Sequence, residues 1–207
     1  MPIQSWHLTI CVQAPNNCGV LTRYGNIVIK ECENIYSPRE DSLLLAESVE
    51  RYATGDVLDL GTGTGLQGIV AAGKGCNVTF ADIEESALKC ARDNAEANRK
   101  PGKFVISDMF GSISGKFDTI IFNPPYLPSE PLSETDKHYR ALDGGIGGRE
   151  LIDVFIKEYK NFLKPAGKAL IVESSLNGYK DDIERLGAEV ISQSHYFFED
   201  IVILMLH

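Results

Sequence analysis

The 207-residue sequence predicts an α/β fold built on a mainly parallel sheet with helices on both faces. Three observations carry that expectation. Short apolar runs alternate with helical stretches from about residue 42 onward. One run, Val57-Leu58-Asp59-Leu60, passes straight into the glycine turn Gly61-Thr62-Gly63-Thr64-Gly65 and then into a helix-like stretch at 66–72. Strand, glycine turn and helix together form the nucleotide-binding corner of a doubly wound sheet. The third is a strand, Thr119-Ile120-Ile121-Phe122, that ends abruptly on Asn123-Pro124-Pro125-Tyr126.

Along the chain, residues 1–35 read as an N-terminal extension belonging to the same domain. A turn is expected at 16–19, and Gly25-Asn26 followed by Ile27-Val28-Ile29-Lys30 suggests a turn and a strand. A helix is predicted over 42–49, preceded by Pro38 and acidic residues that suit its N-terminus. Strands are then expected at 56–60, 77–81, 103–107, 117–122 and 168–173. Helices are expected at 65–73, 84–98, 149–163 and 178–186. The helix from Arg149 carries apolar residues at Leu151, Ile152, Phe155, Ile156, Tyr159 and Leu163, a stripe of helical period. Two extended runs, 188–192 and 201–206, close the chain around Tyr196-Phe197-Phe198. The polar stretch 127–148 breaks the alternation. Because it starts at the end of the strand that carries Asn123, it is expected to be a substrate lid.

Chemistry gathers at strand ends. Asp59 sits in the strand before the glycine turn, where a diphosphate would be repelled and an ammonium attracted. Gly61 and Gly63 let a ligand approach the backbone with no Cβ in the way. Asp82 ends the next apolar run, about twenty residues on, where a ribose diol is held in such folds. Asp108 ends a third run and, with Met109, is placed to meet an adenine. Three carboxylates at successive strand ends match S-adenosylmethionine better than a nicotinamide dinucleotide. The Asn123-Pro124-Pro125-Tyr126 string supplies the other half. Proline has no amide hydrogen to donate and fixes φ, so the backbone there is stiff and offers carbonyls. The Asn123 side-chain oxygen and the Pro124 carbonyl can each accept one hydrogen of a planar –NH2 group, with Pro125 holding them rigid and Tyr126 packing on its face. The catalytic candidates are therefore Asn123, Pro124, Pro125 and Tyr126.

These motifs resemble class I S-adenosylmethionine-dependent methyltransferases of the HemK family, which methylate the glutamine of the Gly-Gly-Gln motif in translation release factors. Tyr36-Ser37-Pro38-Arg39-Glu40-Asp41-Ser42-Leu43-Leu44-Leu45 is similar to the Tyr-x-Pro-x-Glu-Asp-Thr-x-Leu-Leu signature of that family's short archaeal and eukaryotic branch. Gly144-Gly145-Ile146-Gly147-Gly148-Arg149-Glu150 resembles that branch's Gly-Gly-x-x-Gly-Arg-Glu segment. The resemblance runs from about Tyr36 to Leu163. It implies a three-layer Rossmann-like sheet of seven strands, one antiparallel near the edge, with 36–207 as the methyltransferase domain. It implies Tyr36 and Ser42 as further donor-binding candidates, Ser42 keeping a hydroxyl where the signature has threonine. It also implies a small zinc-binding activator, covering an apolar strand edge expected near 77–81. The bacterial relatives' separate helical domain has no room in this chain.

Composition bounds the alternatives. A net charge of −9 disfavours nonspecific nucleic-acid binding and leans toward a protein substrate. The same Asn-Pro-Pro-Tyr clamp would also fit a flipped adenine, so N6-adenine methylation of DNA or RNA is the alternative reading. The one dense basic group is Arg92, Arg99, Lys100 and Lys103, read as a solvated helix end. No apolar stretch is long enough to span a membrane, and there is no signal-peptide pattern. The five cysteines lack zinc-ligand spacing, so no metal is expected and reduced thiols in a cytoplasmic protein are. Three side chains stay open at this point. Glu40 and Asp41 either complement the helix they precede or touch ligand. Arg149 either pairs with an acidic neighbour or steers substrate.

Overall fold

A computed structural model of the protein describes residues 21–127, 144–196 and 198–207. The expected turn at 16–19 and most of the expected lid lie outside the described residues. The chain opens with a hairpin, β1 (Leu21–Tyr24) and β2 (Ile27–Lys30). It continues through α1 (Glu40–Tyr52), β3 (Asp56–Leu60), α2 (Leu66–Gly73), β4 (Asn77–Asp82), α3 (Glu85–Ala97), β5 (Lys103–Ile106) and β6 (Phe117–Phe122). After a short 3-10 turn at Ile146–Gly148 follow α4 (Glu150–Phe162), β7 (Leu163–Ser174), α5 (Tyr179–Leu186), β8 (Glu189–Tyr196) and β9 (Glu199–Leu206).

The main sheet has seven strands in the order β5-β4-β3-β6-β7-β9-β8. Pairings among β5, β4, β3, β6 and β7 are parallel, and β9 runs antiparallel to both its neighbours. The expectation of one antiparallel strand near the edge is borne out. The central strands are covered on both faces, so they read as continuous apolar runs rather than alternating ones. In β6, Ile120 and Ile121 are wholly buried, as are Val202, Ile203 and Leu204 of β9. The helical stripe of α4 buries Ile152, Phe155 and Tyr159. Leu163, expected to end that helix, instead opens β7, which begins five residues earlier than predicted. The helix signal ran on because Leu163 still fits the apolar stripe.

The hairpin does not join the main sheet. Asn94 of α3 and Asn98, which caps that helix, serve β2 in place of a neighbouring strand. Lys30 N–H donates to Asn94 Oδ1 at 2.8 Å and Val28 N–H to Asn98 Oδ1 at 2.9 Å. Asn98 Nδ2 returns a bond to the Val28 carbonyl, and Asn94 Nδ2 reaches both Lys30 and Thr64 carbonyls. Asn94 thereby ties the hairpin to the glycine turn. The same contact corrects the cysteine reading. Cys32, just past β2, is joined to Cys90 of α3 in a disulfide, with their Cα atoms 6.2 Å apart. The pairing spans 58 residues and exists because the hairpin lies along α3, which spacing in the sequence does not reveal. Cys76 is a free thiol.

The strand edge expected near 77–81 is also corrected. β4 is bonded on both sides, to β3 and β5, so the sheet edge on that flank is β5. Among the described residues, no helix is long and apolar enough to cross a membrane.

Candidate active site

The strand order reverses between β3 and β6, which is where open α/β sheets bind ligands. Register brings the two motifs together: Leu60 pairs with Phe122. The glycine turn and the Asn-Pro-Pro-Tyr string therefore leave neighbouring strands at the same level. A cavity of about 410 Å³ opens between them, within the usual range for a small-molecule site.

Gly61 and Gly63 stand at φ 62° and 53°, the left-handed region that favours glycine. The turn is stitched to β4 by Thr62 N–H to the Ala81 carbonyl (2.9 Å) and Gly63 N–H to Asp82 Oδ2 (3.0 Å). Asp82 Oδ1 accepts from Glu84 N–H, so this carboxylate both shapes the turn and lines the cavity. Burial raises its carboxyl above the usual range. Asp59 is fully buried; its Oδ2 accepts from Thr62 Oγ1 at 2.6 Å and from Gly68 N–H at 2.8 Å while the residue still borders the cavity. Burial pushes its carboxyl up to about 7. Asp108 and Met109 border the cavity as well, Met109 at φ 44°.

From the other side come Tyr36 and Ser42, which also face the cavity. Asn123, Pro124 and Pro125 complete the wall. Behind Asn123, Phe122 stacks on Phe155 (4.9 Å between centroids) and Phe155 on Tyr159 (5.5 Å), so the strand end sits on a fixed aromatic column. Tyr126, the residue after Pro125, is buried and is not among the cavity-lining residues. Burial and the neighbouring Asp41 carboxylate raise its hydroxyl above the usual tyrosine range.

Several contributors escaped the sequence reading. Asp41, left open above, is 2% exposed and accepts from Asn123 Nδ2 at 3.0 Å, across 82 residues of sequence. Gln67 donates to the Ser42 carbonyl, and its own oxygen is buried at the cavity wall with no partner. A lone glutamine in an otherwise apolar helical stretch was the available signal. Ile35 and Ile83 add apolar wall.

Arg149 pairs with acids, but not with its neighbour Glu150. Its guanidinium donates to Asp153 (2.8 Å), Asp182 (2.7 Å) and the Asn177 carbonyl (2.6 Å). Glu173 lies 3.7 Å away, wholly buried, with neither oxygen hydrogen-bonded. Burial and the adjacent Asp182 push its carboxyl up to about 8, from an ordinary 4.5. A raised acid stabilises the fold fully below its unfolded value, and that contribution fades as pH rises through the folded one. Stability should therefore fall from about pH 4.5 to about 8, by at most ~1.4 kcal/mol per pH unit for one proton. Asp59 acts in the same direction up to about 7. Glu173→Gln is thus expected to weaken this decline with rising pH in thermal melts, and an unchanged slope would assign the titration to another group.

The cavity's charge selects its ligand. Asp41, Asp59, Asp82, Glu84 and Asp108 all border it, and no lysine, arginine or histidine among the described residues does. A diphosphate would meet only repulsion, whereas a sulfonium and an ammonium would be attracted. One buried acceptor on this wall, Gln67 Oε1, has no partner and suits an N–H donor of the ligand. The residues present fit S-adenosylmethionine.

Strand order, glycine turn and acidic cavity together define a class I methyltransferase. The chain belongs to the methyltransferase small domain family, whose family model matches residues 27–141. A Methanocaldococcus jannaschii protein, provisionally named a protein N5-glutamine methyltransferase, is 39% identical over 86% of this chain and 94% of its own length. The ribosomal RNA small subunit methyltransferase C of Mannheimia succiniciproducens is 32% identical over 84% of this chain. The release factor glutamine methyltransferase of Deinococcus radiodurans is 35% identical over 62% of it. This chain spans only about half the length of the last two, 50% and 49%. Among solved structures, a ribosomal protein L11 methylase from Lactobacillus delbrueckii subsp. bulgaricus superposes with a TM-score of 0.62 at 18% identity, covering 82% of this chain and 80% of that one. That likeness concerns the fold alone. The resemblance read from the three motifs is borne out.

Proposed function

We propose that the protein transfers a methyl group from S-adenosylmethionine to the side-chain nitrogen of the glutamine in a release factor's Gly-Gly-Gln motif. One observation carries the reading: Asn123 Oδ1 is a buried, unpartnered acceptor on a residue that, with Pro124 and Pro125, lines the acidic cavity. An amide nitrogen is a weak nucleophile because its lone pair is delocalised, so alignment matters more than acid–base power. S-adenosylmethionine supplies a methyl carbon made electrophilic by its sulfonium. Asn123 Oδ1 and the Pro124 carbonyl each accept one N–H of the substrate amide and stabilise the positive charge that grows on nitrogen. Pro125 keeps that pair of acceptors from moving. The N–C bond forms as the S–C bond breaks, and the nitrogen then releases one proton to water. Tyr36, Ser42, Gly61, Gly63, Asp82, Asp108 and Met109 are assigned to the donor, with Asp59 bracing the turn. In this reading residues 36–207 are the catalytic domain and the hairpin is its extension.

The names of the M. jannaschii and D. radiodurans relatives support the substrate, and the net charge of −9 suits a basic protein partner. The expected result with purified release factor and labelled donor is one methyl group on the Gly-Gly-Gln glutamine, mapped by peptide mass spectrometry. Label on RNA adenine with none on the protein would transfer the reading to the adenine alternative. Such a substrate places the reaction in the cytoplasm. We also place the zinc-binding activator implied by the family resemblance on β5, the sheet edge, where Ile106 is 55% exposed. Substituting Ile106 by aspartate should then abolish co-purification with that subunit. A chain that is monomeric and fully active alone would remove the need for it.

A further inference from the structure

The side chain of Asn123 can meet a substrate with either end of its amide. Its oxygen would accept from an –NH2 group, and its nitrogen would repel one. The surroundings decide which end is held and which is left without a partner. Asn123 Nδ2 lies 3.0 Å from Asp41 Oδ2 and 3.3 Å from Ser42 Oγ, while Oδ1 has no partner. A carboxylate can only accept, so the reversed amide would set two acceptors against each other. Asp41 is itself held: its Oδ1 accepts from Tyr36 Oη at 3.0 Å and from Ser42 Oγ at 3.2 Å. It sits in the first turn of α1, where a carboxylate complements the helix dipole.

We propose that Asp41 is a positioning residue that locks the Asn123 amide with its oxygen toward the substrate, which restricts the notch to nucleophiles bearing N–H donors. The proposal rests on the reading of Asn123 as the acceptor for the substrate nitrogen. It gives Asp41, which lies inside the first turn of α1 and not at its N-cap Arg39, a task beyond complementing the helix dipole. Tyr36 and Ser42 gain a second task, which is to hold Asp41.

The test is Asp41→Asn, since two facing amides pair in either sense and the preference disappears. Turnover on release factor should fall by roughly 10- to 100-fold through kcat, with KM for the protein little changed. A second readout needs no substrate. In asparagine-labelled enzyme saturated with S-adenosylhomocysteine, the Asn123 side-chain amide protons should exchange slowly in the wild type and rapidly in Asp41→Asn. Tyr36→Phe, which removes one bond to Asp41, should lie between. Retention of kcat within twofold, or equal exchange in both proteins, overturns the proposal. So does a parallel loss of donor affinity, melting temperature and kcat, which would show that Asp41 merely supports the fold. If the wild type never labels release factor while Asn123 still loses protection in Asp41→Asn, the substrate reading fails and the lock stands.

Discussion

Asn123→Ala is expected to lower kcat by about 10²- to 10³-fold, the usual cost of deleting one preorganised polar group aimed at developing charge. Affinity for S-adenosylhomocysteine, followed by titration calorimetry, should change little. The separation follows from where the contacts lie. Most of the donor's assigned holders, the glycine turn, Asp82, Asp108 and Met109, lie at the ends of β3, β4 and β5, whereas Asn123 closes the cavity from β6 and touches only Ser42 among them by a hydrogen bond. Removing its amide takes away an acceptor the substrate needs, and it also leaves Asp41 Oδ2 without the Asn123 donor in a site 2% exposed. Some loss of stability is therefore expected, on the order of 1–3 kcal/mol for an unsatisfied buried acceptor. Kinetics measured well below the melting temperature keep the two effects apart. If kcat on release factor survives within a factor of three, the amide notch is not where transfer occurs.

The parts of this site that were legible in the sequence are those whose chemistry is local. The glycine turn announces itself because a strand, three glycines and a helix are consecutive. Asn123-Pro124-Pro125 does so because two prolines after an apolar run have few conformations open to them. Asp82 and Asp108 were found because each ends its own strand. What was missed depends on packing between distant segments. Asp41 reaches Asn123 only because α1 lies against the carboxyl end of β6, and within its own helix the residue looks like a dipole complement. Tyr126 was read from its ring; its burial and the contact of its carbonyl with Asn177 depend on distant segments. Cys32 and Cys90 meet through Asn94 and Asn98, whose role as a surrogate strand has no signature in helix propensity. The edge near 77–81 was misplaced for a related reason. Strand order is a property of the sheet, and the apolar run in β4 signalled burial between neighbours rather than exposure.

The acidic cavity carries more weight than any single motif. A Gly-x-Gly-x-Gly turn alone is shared with dinucleotide sites, where phosphates rest on the helix N-terminus. Here the turn's own backbone donors are partly taken. Gly63 N–H goes to Asp82, and Gly68 N–H, in the first turn of α2, goes to Asp59. A helix start that has already bound carboxylates is a poor phosphate cradle and a good neighbour for a cation.

Gly148→Ala is expected to reduce kcat by about 100-fold or more, although Gly148 bears no functional group and is not among the residues lining the cavity. Its φ is +70°, and a Cβ there would lie 2.2 Å from the Tyr126 carbonyl oxygen and 2.9 Å from its carbonyl carbon. Nothing flexible can yield, because the obstacle is backbone. The Tyr126 carbonyl is also the one that Asn177 Nδ2 reaches at 3.4 Å, and Asn177 is held through its own carbonyl by Arg149. Leu127, the next residue, receives the Gly144 N–H at 2.8 Å. The Gly-Gly-x-x-Gly-Arg segment is thus the bed on which the Pro125-Tyr126-Leu127 backbone lies. Stiff prolines transmit a shift of that backbone to the Pro124 carbonyl, and a displacement near 1 Å is enough for a hundredfold loss. Gly147→Ala supplies the control. Its φ is +66°, so an alanine suffers similar backbone strain, but a Cβ there meets nothing within 4 Å. Strain alone costs roughly 1–2 kcal/mol of stability and leaves the notch in place. The expected pattern is a modest loss in melting temperature for Gly147→Ala with kcat kept, and a larger one for Gly148→Ala with kcat crippled, both variants binding S-adenosylhomocysteine normally when assayed well below their melting temperatures. Equal kcat in the two would show that the bed beneath Tyr126 does not set the acceptor geometry.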